Sequence, residues 1–405
     1  VVGTRQLKND PRWIVVSDVF KKTDKEILKP LSINSDDDRW DKYSKRLEKL
    51  RDIRKYQYVM QILEKNMSYE EVTEIFVRVN SLGIKLRGSD LALAQITAKW
   101  KGFMNLLEKF ADTYGDDADY ILSWVSVRAL TVFATHQGKF NTIGRVSRDR
   151  LEVAWEQAKQ GINYAVNFLR SNAMIDNFDH TSSPMLLIPI AVYAIQRVER
   201  ISPEDTHKLL RWFYLAHTWG HYGMGSSESW LNADLAVLFR GGTPDDLINQ
   251  LKSHVKKLEV ESSDIAGKGI NSPFFSMMYF VMHQQGVRDW TTGLALSDKH
   301  TGVTHQIQYH HVFSKSLLKK EGYEKREINE LSNMAFIGGR TNRQVLNHAP
   351  AEYLEQVIDK VGEDGLRDHL IPSDRTLWNL DQYPSFLTYR RAEIARLINE
   401  FISNV

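Results

Sequence analysis

Most of the chain spaces its apolar residues at helical intervals. Over 68–79, Val72, Ile75, Phe76 and Val79 recur at i, i+3, i+4 and i+7, and Ser68 with Glu71 sets a capping-box pattern at the start. Four further starts carry Ser or Thr followed by Pro: Ser183-Pro184, Ser202-Pro203, Thr243-Pro244 and Ser272-Pro273. Each predicts a hydroxyl N-cap with proline at the first helical position, where the missing N–H leaves no bond unmade. A long charged helix is expected after Asp37 in NSDDDRWDKYSKRLEKL, its charges forming a solvated face. The stretch RWIVVSDVF, Arg12 to Phe20, reads as a short strand or as a helix start. The starts recur irregularly, so no repeat array is indicated.

The texture changes after a helix at 273–285. DWTTGLALSDKHTGVTHQIQYHHVF has turn glycines, threonines and alternating apolar residues, and NMAFIGGRTN reads as a second short strand with a Gly-Gly turn. Helices resume from Pro350. Connections are expected near 114–120 and 169–183, and ESSDIAGKGINS (Glu261 to Ser272), polar and glycine-rich, reads as the clearest linker. The pattern predicts a mainly α chain in three parts, 1–115, 116–270 and 271–405.

The 405 residues exceed one ordinary domain, and 42% hydrophobic content can fill a large core. A net charge of +2 offers no global argument for nucleic acid, so any electrostatic footprint must be local. The absence of cysteine removes disulfides and thiolate zinc sites and suits a reducing cytoplasm. The longest apolar run, Pro184 to Ile195, is short of the ~20 residues needed to span a bilayer, so no membrane partner is expected. The chain opens VVGTRQLKND without methionine or a signal-peptide pattern and reads as a piece of a longer protein.

The chemistry gathers in 306–347. QIQYHHVFSKSLL places His310 and His311 side by side where a strand is expected to end. A loop of about twenty residues follows; Asn333 then opens the second strand, and Asn342 falls in the first turn of a helix beginning near Thr341. Phosphodiester hydrolysis needs a base to activate water and a hard cation on the phosphate. One histidine as base, a second with one asparagine as ligands, and one asparagine bracing the loop meet that list. The bland alternative is a packed or exposed His–His pair and a turn asparagine. His300 and His305 just upstream raise a zinc cluster as a further alternative. From Gly286 to His348 there are nine Lys/Arg against six Asp/Glu, a net of +3. Arg343 and Lys315 first, then Arg340 and Lys319, are candidates for phosphate contact; the plain alternative is solubilising charge.

The run HHVFSKSLL…LSNMAFIGGRTNRQVLN resembles the ββα-metal, or HNH, nuclease motif, and NMAFIGGRTNR has the Asn-to-Asn-Arg spacing of the HNH domain of CRISPR effector nucleases. The resemblance implies His311 as general base, His310 and Asn342 as ligands of Mg²⁺ or Mn²⁺, and Asn333 as the structural asparagine. The family often has Asp where His310 stands. Upstream, a helix is expected to end near Val79, Asn80 to Gly83 to turn, Leu86 to pack back, and Ser89 to cap a second helix bearing Leu93, Ile96 and Trp100. That stretch, IFVRVNSLGIKLRGSDL, resembles the ParB-like, DGQQR-containing family, in which a nucleotide-handling domain is joined to a C-terminal HNH domain, as in GmrSD-type modification-dependent restriction endonucleases and related phage-defence nucleases. The resemblance implies that 1–115 is the C-terminal helical part of the ParB-like domain, 116–270 a helical middle domain and 271–405 an HNH domain with C-terminal helices. The hallmark Asp-Gly-Gln-Gln-Arg is absent, so NTP use is expected only through residues preceding Val1.

The expected function is metal-dependent cleavage of DNA in phage restriction, with a homo-oligomer or defence-system proteins as possible partners. The alternative is a catalytically silent DNA-binding, sensor or scaffold protein. A free imidazole at His311 implies a rate that falls below about pH 6.5. In the middle region, His217 and His221 stand one turn apart and read as metal ligands or as packed residues. Trp219, Tyr222 and Trp230 read as base-stacking or core.

Overall fold

The structure, a computed structural model, describes residues 12–58, 60, 62–64, 67, 72, 75, 79, 87–117, 121, 125–175, 177–197, 201–223, 226–297, 306–345 and 348–405. The chain divides into two compact units, 1–82 and 83–405. In the first, short helices Val16–Val19 and Asp24–Leu28 and the longer α1 (Trp40–Arg51) gather Val19, Ile27, Leu28, Ile33 and Leu47 into a small core. Arg51 ties these pieces together, donating from Nε to the Val19 carbonyl at 2.8 Å and pairing with Asp24. The charged helix expected after Asp37 is α1, with only Leu47 buried. Val72, Ile75 and Val79 are helical. Ser68, Glu71, Phe76, the Asn80–Gly83 turn and Leu86 lie outside the described residues.

The second unit is mainly helical. It opens with α2 (Gly88–Lys99), α3 (Phe103–Asp112), α4 (Ser126–Thr135), α5 (Arg148–Ala173) and α6 (Leu187–Gln196). Then follow α7 (Pro203–Thr218), α8 (Ser227–Phe239), α9 (Pro244–Val255) and α10 (Pro273–Gln284). Helix α2 begins one residue before the expected Ser89 cap. Ser89 is buried in its first turn, and the Asp90 carboxylate accepts the Arg87 N–H at 3.0 Å instead. The four Ser/Thr-Pro starts all cap as the pattern predicts. Ser202 accepts from Asp205 N–H at 3.0 Å and Thr243 from Asp246 N–H at 3.4 Å. Ser272 accepts from Phe274 N–H at 3.4 Å and Ser183 from Met185 N–H at 3.3 Å, the last at a 3₁₀ turn leading into α6. Helix α5 buries Leu151, Ala154, Trp155, Ala158, Ile162, Ala165 and Leu169 along one stripe and packs between α4 and α6. A Cβ on Gly161 would lie 2.9 Å from that of Ala191, so the close α5–α6 approach requires glycine there.

Two strands, β1 (Ile307–His311) and β2 (Met334–Gly338), pair antiparallel in a regular register from Ile307↔Gly338 to His311↔Met334. Two short helices, α11 (Lys315–Lys320) and α12 (Lys325–Ile328), fill the loop between them, and α13 (Gly339–Val345) follows β2 directly. The sheet divides two cores. Met334 and Phe336 join the large helical core. Ala335 and Ile337, on the other face, join a second core with Trp290, Val312, Phe313, Tyr353 and Trp378. That second core is closed by α14 (Pro350–Asp368), interrupted at Gly362 (φ 75°), and by α15 (Tyr383–Asn404). The expected linker 261–272 is a packed segment. Ile265 is buried, and Gly267 N–H and the Lys268 carbonyl bond to Glu330 and Leu331 at 2.8 and 2.7 Å. No helix among the described residues is long and apolar enough to cross a membrane.

Helix α15 clamps the start of β2. Arg390 is fully buried and donates to the Ser332 carbonyl at 3.1 Å and to the carbonyls of His369 and Met334. Burial without a carboxylate partner lowers its pKa to about 10. Arg391 beside it forms a bidentate pair with buried Glu330 at 2.6 and 2.7 Å. Replacing Arg390 leaves three buried carbonyls without donors, each costing about 1–3 kcal/mol. Arg390→Met is therefore expected to lower the unfolding free energy by at least about 3 kcal/mol, read from urea unfolding with the slope held common. A midpoint equal to wild type would remove Arg390 from this role.

Candidate functional site

The site lies where β1 ends. After His311 the chain must leave the sheet without abandoning backbone donors and acceptors in a buried setting. Asn333, itself fully buried, solves this: its Oδ1 accepts Phe313 N–H at 2.9 Å and its Nδ2 donates to the Phe313 and Ile328 carbonyls at 3.0 and 3.1 Å. One carboxamide thus joins both ends of the long loop. Val312 and Phe313 anchor that turn in the second core, and Ser314 caps α11 through Leu317 N–H at 3.4 Å.

His310 and His311 remain in regular ladder pairs, opposite Ala335 and Met334. They therefore keep the strand's alternation, and the strand ends without distortion beside them. His310 shares the Ala335 face and is buried against the edge of Trp290. Its Nδ1 lies 2.9 Å from Asn342 Oδ1 and its Nε2 lies 3.2 Å from the Tyr353 hydroxyl. The Tyr353 hydroxyl also lies 3.0 Å from the Val312 carbonyl, so its one proton serves either that carbonyl or His310 Nε2. Asn342 Nδ2 is turned to Gln308 Oε1 at 2.7 Å, so Oδ1 is the amide atom that faces Nδ1 and accepts its hydrogen in the Nδ1–H tautomer. Burial lowers the His310 pKa to about 4, against the opposing pull of Asn342. The 2.9 Å between Nδ1 and Oδ1 is an ordinary hydrogen-bond length, and it is also close to the edge of an octahedron with ligand distances of about 2.1 Å. With His310 protonated on Nε2, Nδ1 and Oδ1 would be two electron-pair donors able to face a small divalent ion. Among the described residues no group of three or more His, Cys, Asp or Glu is arranged to hold a metal, and this pair is one imidazole and one carboxamide.

His311, on the Met334 face, is half-buried, and its Nε2 lies 3.1 Å from Asn329 Oδ1. Burial lowers its pKa to about 4; the Asn329 bond opposes this, and the Lys315 charge adds to it. The imidazole is thus neutral well below pH 6.5. Lys315 and Lys319 are exposed on α11, and Arg340 and Arg343 are exposed on α13. The structure brings the four expected His and Asn residues to one end of the hairpin, with these basic residues on the two helices that flank it.

Several contributors carry no local sequence signal. Asp289 accepts from Gly338 N–H, Thr341 Oγ1, Thr292 N–H and Thr292 Oγ1 at 2.7–2.8 Å and from Thr291 N–H at 3.1 Å, locking the β2–α13 corner that carries Asn342. Burial raises its pKa, but the bonds from Thr341, Thr292 and Gly338 outweigh that and hold it below the usual carboxylate value. Tyr353 and Asn329 likewise reach the site from elsewhere in the chain, and Gln308 stands two residues before His310 on β1. The middle-region pair does not converge. His217 Nδ1 accepts Ser182 N–H at 2.9 Å, whereas His221 bonds Asp234 at 2.8 Å, both fully buried. Tyr222 is core, and Trp219 and Trp230 pack against it. His300 and His305 lie outside the described residues.

No protein-family model matches the chain. A protein of Methanocaldococcus jannaschii described only as uncharacterized is 20% identical over 338 residues, covering 76% of this chain and 53% of its own. The chain thus spans about half the length of that relative.

His217, His310 and His369 are each buried and neutral, with pKa values lowered by burial to about 3, 4 and 4. The unfolded chain protonates near pH 6.5 while the folded one does not, so it binds more protons and stability rises with pH. Stability from these groups is present above pH 6.5 and is lost as pH falls toward 4, at about 1.4 kcal/mol per pH unit for each imidazole. Denaturant unfolding at pH 7, 6 and 5 should show that decline. Its slope should lose one proton's share in His310→Gln; an unchanged slope would mean that His310 is not buried neutral.

Proposed function

We propose that the chain is a metal-dependent endonuclease of the HNH, or ββα-metal, type that hydrolyses DNA phosphodiester bonds. The observation that carries the reading is the facing of His310 Nδ1 and Asn342 Oδ1 across 2.9 Å beside a half-buried, neutral His311. The order of β1, loop, β2 and α13 with Asn333 at the brace supports it. On this reading 271–405 is the nuclease part, 116–270 a helical middle part, and 1–115 belongs with the ParB-like DGQQR family. A setting in phage restriction, a cytoplasmic location, and homo-oligomer or defence-system partners belong to the same proposal, as does NTP use through residues outside this chain.

His310 and Asn342 would hold the ion, with Tyr353 and Gln308 fixing their orientation. A bound Mg²⁺ or Mn²⁺ supplies positive charge to the phosphate oxygens and the leaving oxygen. His311 takes a proton from water as its oxygen bonds to phosphorus, and the P–O bond to the leaving sugar oxygen breaks. Lys315, Lys319, Arg340 and Arg343 hold flanking phosphates. The depressed pKa of His311 has a cost: a weaker base drives proton transfer less well, and an approaching phosphate anion would raise it. The same depression is the specific feature on the side of a catalytically silent DNA-binding or sensor protein.

Supercoiled plasmid with Mg²⁺ or Mn²⁺, and EDTA as control, tests the reading. His311→Ala should lose at least ~100-fold in single-turnover rate with DNA affinity retained. Tight DNA binding with no metal-dependent cleavage by wild type would favour the silent protein.

Two further outcomes are expected of the same assay. Asn342→Ala should need a higher metal concentration for half-maximal rate. For the free enzyme, kcat/KM should hold from pH 8 to about 5 and fall toward pH 4, because His311 is protonated only there. An acid limb near 6.5 would show an imidazole exposed to water.

A further inference from the structure

We infer that Asn329 is a positioning residue that keeps the proton of His311 on Nε2 and so leaves Nδ1 as the nitrogen able to take a proton. The inference rests on the nuclease reading for its catalytic meaning, while the tautomer itself follows from hydrogen-bond logic alone. Asn329 ends the short helix α12 within the loop between the strands, and its Nδ2 donates to the Lys325 carbonyl at 2.8 Å. A backbone carbonyl only accepts, so the amide group facing it must be the NH₂. The amide oxygen is then the atom 3.1 Å from His311 Nε2. That oxygen also only accepts, so Nε2 must carry the hydrogen, and a neutral imidazole has no second one for Nδ1.

The backbone around Asn329 is itself held. Asn329 N–H donates to the Lys325 carbonyl at 3.1 Å, and the preceding Ile328 carbonyl accepts from Asn333 at 3.1 Å. Asn329 thereby links the general base to the brace that closes the loop. Ring orientation and tautomer are set together, from a residue eighteen positions away. The water that gives its proton to His311 must approach the Nδ1 edge, and a group at 329 unable to accept would let the ring turn and its tautomers mix.

The test uses the full chain labelled with ¹⁵N-histidine, with the His311 signals identified by their loss in His311→Ala. Long-range ¹H–¹⁵N spectra at pH 7 should show a protonated Nε2 and a bare Nδ1 in the wild type. In Asn329→Ala the two nitrogen shifts should move toward each other as tautomers exchange, and kcat should fall about 10- to 100-fold with KM unchanged. Asn329→Asp, which keeps an acceptor at that point, should restore the Nε2–H signature and most of the rate. A wild-type spectrum with the proton on Nδ1 overturns the inference, as does an Asn329→Ala variant with unchanged shifts and kcat. Should Asn329→Ala not fold, the wild-type and Asn329→Asp spectra decide. Absence of cleavage in wild type would count against the nuclease reading, and the spectra would still decide the role of Asn329.

Discussion

The reciprocal bonding of Asn333 with the backbone of Phe313 is the constraint on which the site depends. A loop of about twenty residues between two five-residue strands would ordinarily be a mobile excursion. Here one buried carboxamide satisfies an N–H and two carbonyls, and Val312 N–H donates to the Asn333 carbonyl at 2.8 Å, so the two ends of the loop continue the ladder. These bonds fix where the loop places its residues: the exit of β1 after His311, the start of α11 with Lys315, and Asn329 opposite the imidazole. Removing an acceptor or donor there would strand buried backbone groups rather than merely lose a contact.

The second theme is polar burial that is fully answered. Arg390 spends its donors on three carbonyls around the entry to β2, and Asp289 collects five donors around its exit into α13. Each would be strongly destabilising if half-satisfied. Together they hold both ends of a strand whose side chains face two different cores, Met334 and Phe336 one way and Ala335 and Ile337 the other. A strand buried on both sides cannot slip its register without exchanging those sets. The register in turn keeps His310 beside Asn342 and Tyr353.

Electrostatically the two histidines are alike in charge and unlike in setting. Both are neutral because burial disfavours the imidazolium, and each influences its neighbours in that state. His310 is enclosed, with Nε2 committed to Tyr353 and Nδ1 turned to an oxygen. His311 is half-open, with Nε2 committed to Asn329 and Lys315 nearby. Adjacent positions on one strand thus feed two faces, and the chemistry proposed for them needs the strand to stop where it does, after His311.

The sequence by itself determined the elements whose signals are local. Hydroxyl-proline pairs at 183, 202, 243 and 272 marked real caps, because an N-cap and a proline act within one turn. The ordered pattern of His310, His311, Asn333 and Asn342 was legible in the same way, since strand, brace and helix follow one another along the chain. Three things were not legible. The 261–272 segment looks like a linker by composition, yet Gly267 and Lys268 are bonded to residues beyond 329, which no local pattern can express. Ser89 has the chemistry of a cap but lies inside the helix, because Asp90 reaches back to Arg87. The partners that fix tautomer and charge, namely Tyr353, Gln308, Asp289 and Asn329, are ordinary residues in the sequence. Only tertiary packing brings them within hydrogen-bond range, and only burial converts an imidazole expected to titrate near pH 6.5 into one that stays neutral to about 4.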